Sequence, residues 1–115
     1  MEKLLLKSNI TSSELEMLLN AREDGEVDFI LIDVREPMEY NMGHIKGVDT
    51  LKPSTQLQKW GQDVIDNFGD KTVILTCRTG ARSGHIQRVL KHNGHNSVIN
   101  HSGGIVSFRG TKERG

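Results

Sequence analysis

Two short apolar runs set the terms on which this chain can fold. Phe29-Ile30-Leu31-Ile32-Asp33-Val34 is nearly uninterrupted, and Thr72-Val73-Ile74-Leu75-Thr76 repeats the pattern further on. A strand with one face in water alternates apolar and polar residues, whereas a run without alternation reads as a strand covered on both faces. Helical patterns separate such runs. Thr11 with Glu14 makes a capping box, Leu15, Leu18 and Leu19 line one face, and Gly25 stops that helix. Pro37 suits the first turn of a short helix reaching to Gly43. After Pro53 a third helix puts Leu57, Trp60, Val64, Ile65 and Phe68 on one face, with Thr55 and Gln58 as capping candidates and Gly69 as its end. A fourth, opened by Ser83, carries Ile86, Val89 and Leu90 and stops at Gly94. Ser97-Val98-Ile99-Asn100 reads as a short strand, and Gly103-Gly104 leads into a last short helix with Ile105, Val106 and Phe108. Strands alternating with helices predict an α/β fold with a parallel sheet and helices on both faces.

The 115 residues have room for one domain, expected over 1–115, with a single core that needs no covalent staples. No repeat, low-complexity tract or linker interrupts it. Fifteen basic residues balance fifteen acidic ones, so neither a nucleic-acid partner nor a membrane surface has support from overall charge. Aromatic residues are only 4% of the chain, which leaves the core to aliphatic side chains. Leu4-Leu5-Leu6, ended by Lys7, is too short for an export signal, and no stretch approaches the length of a membrane span. A single cysteine makes no internal disulfide. These features together predict a cytoplasmic protein of a reducing compartment.

That cysteine, Cys77, falls where the second apolar run ends and a helix begins. Cys77-Arg78-Thr79-Gly80-Ala81-Arg82 forms a small, doubly basic turn containing glycine, and Ser83 follows. A thiol at the mouth of such a turn faces several backbone N–H groups, the positive end of a helix and two guanidinium groups. Each favours the thiolate over the thiol. In parallel sheets, ligands bind beyond the carboxyl ends of the strands, and both Cys77 and Asp33-Val34-Arg35 lie at such ends.

A lone cysteine after an apolar strand is commonly an inert core residue, but Arg78, Gly80 and Arg82 beside it argue otherwise. Asp33 and Arg35 read as a strand-end ion pair and Glu39 as a charge on a short helix, all three supporting the loop edge rather than doing chemistry. His44 reads as a structural side chain bonded within its own turn. His85, His92, His95 and His101 do not make a metal site, since His92 and His95 straddle a helix end and no second cysteine is present. Trp60 reads as core. No cofactor is called for.

Asp33-Val34-Arg35-Glu36-Pro37 with Glu39-Tyr40, then Gly43-His44-Ile45-Lys46-Gly47, then Cys77-Arg78-Thr79-Gly80-Ala81-Arg82-Ser83, then Gly103-Gly104-Ile105, resemble the successive signatures of a single-domain rhodanese. The resemblance runs from about Thr11 to Phe108. It implies a rhodanese-like, five-stranded parallel sheet wrapped by helices. It also implies sulfur transfer from thiosulfate or a related donor to cyanide or a thiol acceptor through a persulfide on Cys77. The substrate-holding residues would be Arg78, Thr79, Gly80, Ala81, Arg82 and Ser83, with Asp33, Arg35, Glu39 and His44 as support. A small anionic sulfur donor is the expected partner, and a protein sulfur donor or acceptor is the alternative. Cysteine phosphatases place five residues between cysteine and arginine to surround a tetrahedral oxyanion. This chain has four, a ring better sized for one sulfur atom, and no aspartate in the loop to protonate a leaving group. The chain departs from the family pattern at Val48-Asp49-Thr50-Leu51, where relatives are small and apolar, and at Phe108, where relatives often carry tryptophan.

Overall fold

The two apolar runs become neighbouring parallel strands at the centre of the sheet. In the computed structural model, which describes residues 1–115, β1 spans Asn9–Ile10, β2 Ile30–Asp33, β3 His44–Ile45, β4 Thr50–Leu51, β5 Val73–Thr76, β6 Val98–His101 and β7 Lys112–Glu113. The main sheet has five parallel strands in the order β1-β6-β5-β2-β4. β2 and β5 pair in register from Ile30 opposite Val73 to Asp33 opposite Thr76. β3 and β7 form a separate antiparallel pair.

Helices α1 (Ser12–Glu23), α2 (Pro37–Met42), α3 (Leu57–Phe68) and α4 (Ala81–His92) follow the expected order. The α1 capping box is present: Glu14 N–H donates to Thr11 Oγ1 at 3.1 Å, and Thr11 N–H to Glu14 Oε1 at 2.9 Å. α3 departs from expectation at its start. Ser54–Gln56 forms a 3₁₀ turn before it, and neither Thr55 nor Gln58 caps it with a side chain. The Thr55 hydroxyl instead bonds the Glu36 carboxylate at 3.0 Å, tying the entries of α2 and α3 together. α4 starts at Ala81, two residues earlier than the sequence suggests, because Gly80 supplies the left-handed N-cap with φ +96°. The last helix is a single 3₁₀ turn, Ile105–Ser107, which Phe108 follows rather than joins.

Alternate side chains of the central strands enter two cores, which is why these runs carry no polar face. Leu31 and Ile74 pack with Leu15, Leu18, Ile99 and Phe108 on one side of the sheet. Ile32, Val73 and Leu75 pack with Trp60, Val64, Ile86 and Leu90 on the other. Each such aliphatic side chain contributes about 1.5–3 kcal/mol when buried. The break from the family pattern after Gly47 is accommodated by charge pairing. The Asp49 carboxylate accepts the Leu31 N–H and an Arg22 N–H, both at 2.7 Å, and so stitches the approach to β4 onto β2. No helix is long and apolar enough to cross a membrane.

Candidate functional site

β5 carries Cys77 to the carboxyl edge of the sheet and α4 begins four residues later, so the intervening loop must fold tightly around the sulfur. It does so with its N–H groups inward. Gly80 N–H donates to Cys77 Sγ at 3.0 Å, and the Ser83 hydroxyl lies 3.4 Å from it. Burial pushes the Cys77 thiol up. Against it stand the Ser83 hydroxyl, when its proton is turned to the sulfur, and the backbone N–H groups of Ser83, Gly80 and Thr79; with all of them donating, the balance lies below the usual thiol value. The sequence places the thiol at the mouth of the turn, whereas the structure places it on the floor. Cys77 is 1% exposed and packs with Val34 and Ile86 in the core beneath α4. Arg78, Thr79 and Ala81 are the exposed members of the loop.

The loop is held from behind by the glycine pair. Ile105 N–H donates to the Cys77 carbonyl at 2.9 Å and Val106 N–H to the Arg78 carbonyl at 3.2 Å. Any Cβ on Gly80 would collide with the Ser102 carbonyl, and any on Gly104 with the Arg78 carbonyl, so two loops share a space that only backbone can occupy.

The two loop arginines separate in role. Arg78 is exposed and its guanidinium makes no bond within the chain, whereas Arg82 grips the Glu39 carboxylate through both terminal nitrogens at 2.8 and 2.9 Å. That grip holds the Glu39 carboxyl down at about 2, against burial and helped by the Glu36 N–H, and it raises Arg82 further. An arginine paired in this way holds the shape of the loop.

On the adjacent strand end, Asp33 and Arg35 form a buried ion pair. Arg35 Nη2 donates to Asp33 Oδ2 at 2.7 Å, and Nη2 also donates to the Gly43 carbonyl at 2.7 Å. α2 is thereby fastened to β2, and Glu39 is aimed across at Arg82. His44 Nδ1 bonds the Tyr40 carbonyl at 3.1 Å and its ring stacks on Tyr40 with centroids 3.8 Å apart. Of the four support residues Glu39 bonds the loop, through Arg82, and none bonds the sulfur.

Sequence reasoning missed a polar line beneath the loop. His101 Nδ1 meets Thr76 Oγ1 at 2.8 Å, His101 Nε2 meets Ser12 Oγ at 2.7 Å, and Ser12 meets Ser107 at 2.5 Å. Burial pushes His101 down to about 4. It also missed Asn100, whose side chain bonds both Ser83 and the Gly80 carbonyl. The available signal was polar residues in a strand with no exposed position, since Asn100 and His101 end a β6 that is buried throughout. The remaining histidines scatter, with His85 and His92 exposed and His95 buried against the Phe68 carbonyl.

A family model for the rhodanese-like domain matches residues 14–111. The chain belongs to the rhodanese-like domain family. It is 34% identical over 101 residues to the probable adenylyltransferase/sulfurtransferase MoeZ of Mycobacterium tuberculosis, covering 88% of this chain and 24% of that protein. It is 33% identical over 101 residues to the tRNA uridine(34) hydroxylase of Salmonella arizonae, covering 84% of this chain and 28% of that protein. The chain thus spans about a quarter of the length of these curated relatives. The crystal structure of a rhodanese-like domain protein from Staphylococcus aureus superposes with a TM-score of 0.74 at 24% identity, covering 95% of this chain and 99% of that one. That likeness shows the fold.

Proposed function

We propose that this rhodanese-like domain is a sulfurtransferase that carries sulfane sulfur as a persulfide on Cys77. The observation that carries the reading is the ring of donors closed on a single sulfur, with Gly80 N–H at 3.0 Å. The Cys77 thiolate attacks the outer sulfur of thiosulfate, the S–S bond breaks, and sulfite leaves with the electron pair. Cyanide or a thiolate then attacks the terminal persulfide sulfur, takes it, and returns Cys77 to the thiolate. The amides of residues 78–83 hold the anionic persulfide as a nest holds an anion. Arg78, exposed and unpaired, attracts the dianionic donor, while Arg82, Glu39, Arg35, Asp33 and His44 keep the loop in shape. Edge strand β1 at Asn9–Ile10 lies outside the matched span yet joins the sheet, which supports a unit of one domain over 1–115. The chemistry suits a reducing compartment, the cytoplasm.

A second reading is a sulfur relay in which a protein donor loads Cys77 and a partner unloads it. Two observations favour it: both terminal nitrogens of Arg82 are engaged by Glu39, and the MoeZ relative is a probable adenylyltransferase as well as a sulfurtransferase. Thiosulfate:cyanide turnover, measured beside a Cys77→Ser variant, tests the first reading. Turnover that disappears in the variant supports it. Loading by a protein persulfide donor without thiosulfate turnover supports the relay, and neither activity would refute both.

A further inference from the structure

The hydroxyl of Ser83 has one proton and two neighbours that want it. Its Oγ lies 2.6 Å from Asn100 Oδ1 and 3.4 Å from Cys77 Sγ. The orientation of the Asn100 amide decides which neighbour receives the proton, and the Gly80 carbonyl fixes that orientation. Asn100 Nδ2 lies 3.2 Å from the Gly80 oxygen, which also accepts the Gly84 N–H at 3.0 Å. A flipped amide would set two acceptor oxygens against each other, so Nδ2 faces Gly80 and Oδ1 faces Ser83. Oδ1 has no proton to give, and at 2.6 Å the hydroxyl must be the donor. The Ser83 oxygen therefore presents lone pairs to the sulfur.

We infer that Asn100 is a positioning residue that claims the Ser83 hydroxyl proton and so withholds it from the Cys77 thiolate. In the thiol state the arrangement is satisfied throughout, because S–H donates to Ser83 and Ser83 donates to Asn100. On ionisation the hydroxyl either keeps Asn100 and turns lone pairs toward a charged sulfur, or turns to the sulfur and leaves a buried Oδ1 unpaired. Both cost free energy. In the persulfide the charge moves out to the terminal sulfur and the conflict with Cys77 Sγ is relieved. The device keeps the resting thiolate more basic than its amide ring alone would make it, and a more basic thiolate is the stronger nucleophile. Asn100 acts from β6, behind the loop, with no contact to the sulfur of its own.

The inference rests on the reading of Cys77 as the ionising nucleophile. The charged and titratable groups around the loop are Arg78, Arg82 with Glu39, Asp33 with Arg35 on the neighbouring strand end, and His101 behind Thr76. None bonds the sulfur, and none is altered by the substitutions that follow.

The test is a double-mutant cycle read by thiolate ultraviolet absorbance against pH, with Cys77→Ser as the blank. Asn100→Ala is expected to lower the thiol's titration midpoint, because the freed hydroxyl turns to the sulfur. The same substitution in a Ser83→Ala background is expected to give no such drop. Alkylation by iodoacetamide above the midpoint should slow in Asn100→Ala, by about threefold for each unit of lowering. Should Asn100→Ala fail to fold, Asn100→Leu keeps the branched shape of the side chain, and Ser83→Ala alone remains decisive. A raised midpoint in Ser83→Ala would show that the hydroxyl already donates to the sulfur and would overturn the inference. So would a drop in Asn100→Ala that survives without the hydroxyl. These titrations need no sulfur donor, so a failure here is separate from a failure of sulfur transfer.

Discussion

Cys77 is pulled in two directions, and the resolution is local. Burial under α4 disfavours its charge, and the inward N–H groups of the loop favour it. Arg78 contributes nothing to that balance through hydrogen bonding, since its guanidinium is free at the surface. On the proposed function its work is long-range attraction, which scales with the charge of the incoming donor. Arg78→Ala should therefore reduce kcat/KM for thiosulfate several-fold more than for an uncharged sulfane donor, and the difference should shrink at high salt. Steady-state kinetics with both donors at two ionic strengths checks this; equal losses would remove the assignment. Arg82 offers the contrast, a guanidinium of the same charge tied to a carboxylate held near 2 and so paired throughout the working range.

At the scale of elements, the site is the seam between the β5–α4 loop and the turn after β6. Gly80 is the tightest point of that seam, with φ +96° and the Ser102 carbonyl where a side chain would begin. Gly80→Ala is expected to abolish sulfur transfer and to lower stability by at least about 1 kcal/mol, read by urea denaturation. A variant with wild-type activity would show that the loop has room to relax. This seam also marks how far the sequence could be read. The central strands, four helices and the α1 capping box were legible, because each has either an uninterrupted apolar run or a helical stripe. Strands β1, β4 and β7 have two residues each, too few for any periodicity to show. The Cys77 loop was legible as a motif, yet the commitment of Arg82 to Glu39 was not, because it joins residues 43 apart through a fold that must be known first. Asn100 and His101 were hidden for the same reason: a polar residue in a short strand acquires meaning only when both faces prove buried.

Across the whole molecule, the line Ser107–Ser12–His101–Thr76 joins α1, β6, β5 and the 3₁₀ turn behind the site. Its central histidine is neutral when folded and held at about 4, below its ordinary value near 6.5. A group whose folded value is depressed binds more protons when unfolded, so stability is lost as pH falls from about 6.5 towards 4. Glu39 acts in the same sense lower down, its contribution fading between the ordinary carboxylate range and about 2. Urea midpoints measured across pH should fall through the upper window in the native protein and flatten there in His101→Gln, whatever the variant's absolute stability. An unchanged slope would mean that the ring is protonated within the fold.

The same architecture exists, on this account, to let one buried sulfur take up another. Intact-mass analysis after incubation with thiosulfate addresses that claim directly. The native chain should gain the mass of one sulfur atom, mapped to Cys77, and lose it again on adding cyanide, while Cys77→Ser gains nothing. A native chain whose mass stays unchanged under thiosulfate and under a protein persulfide donor alike would contradict the account.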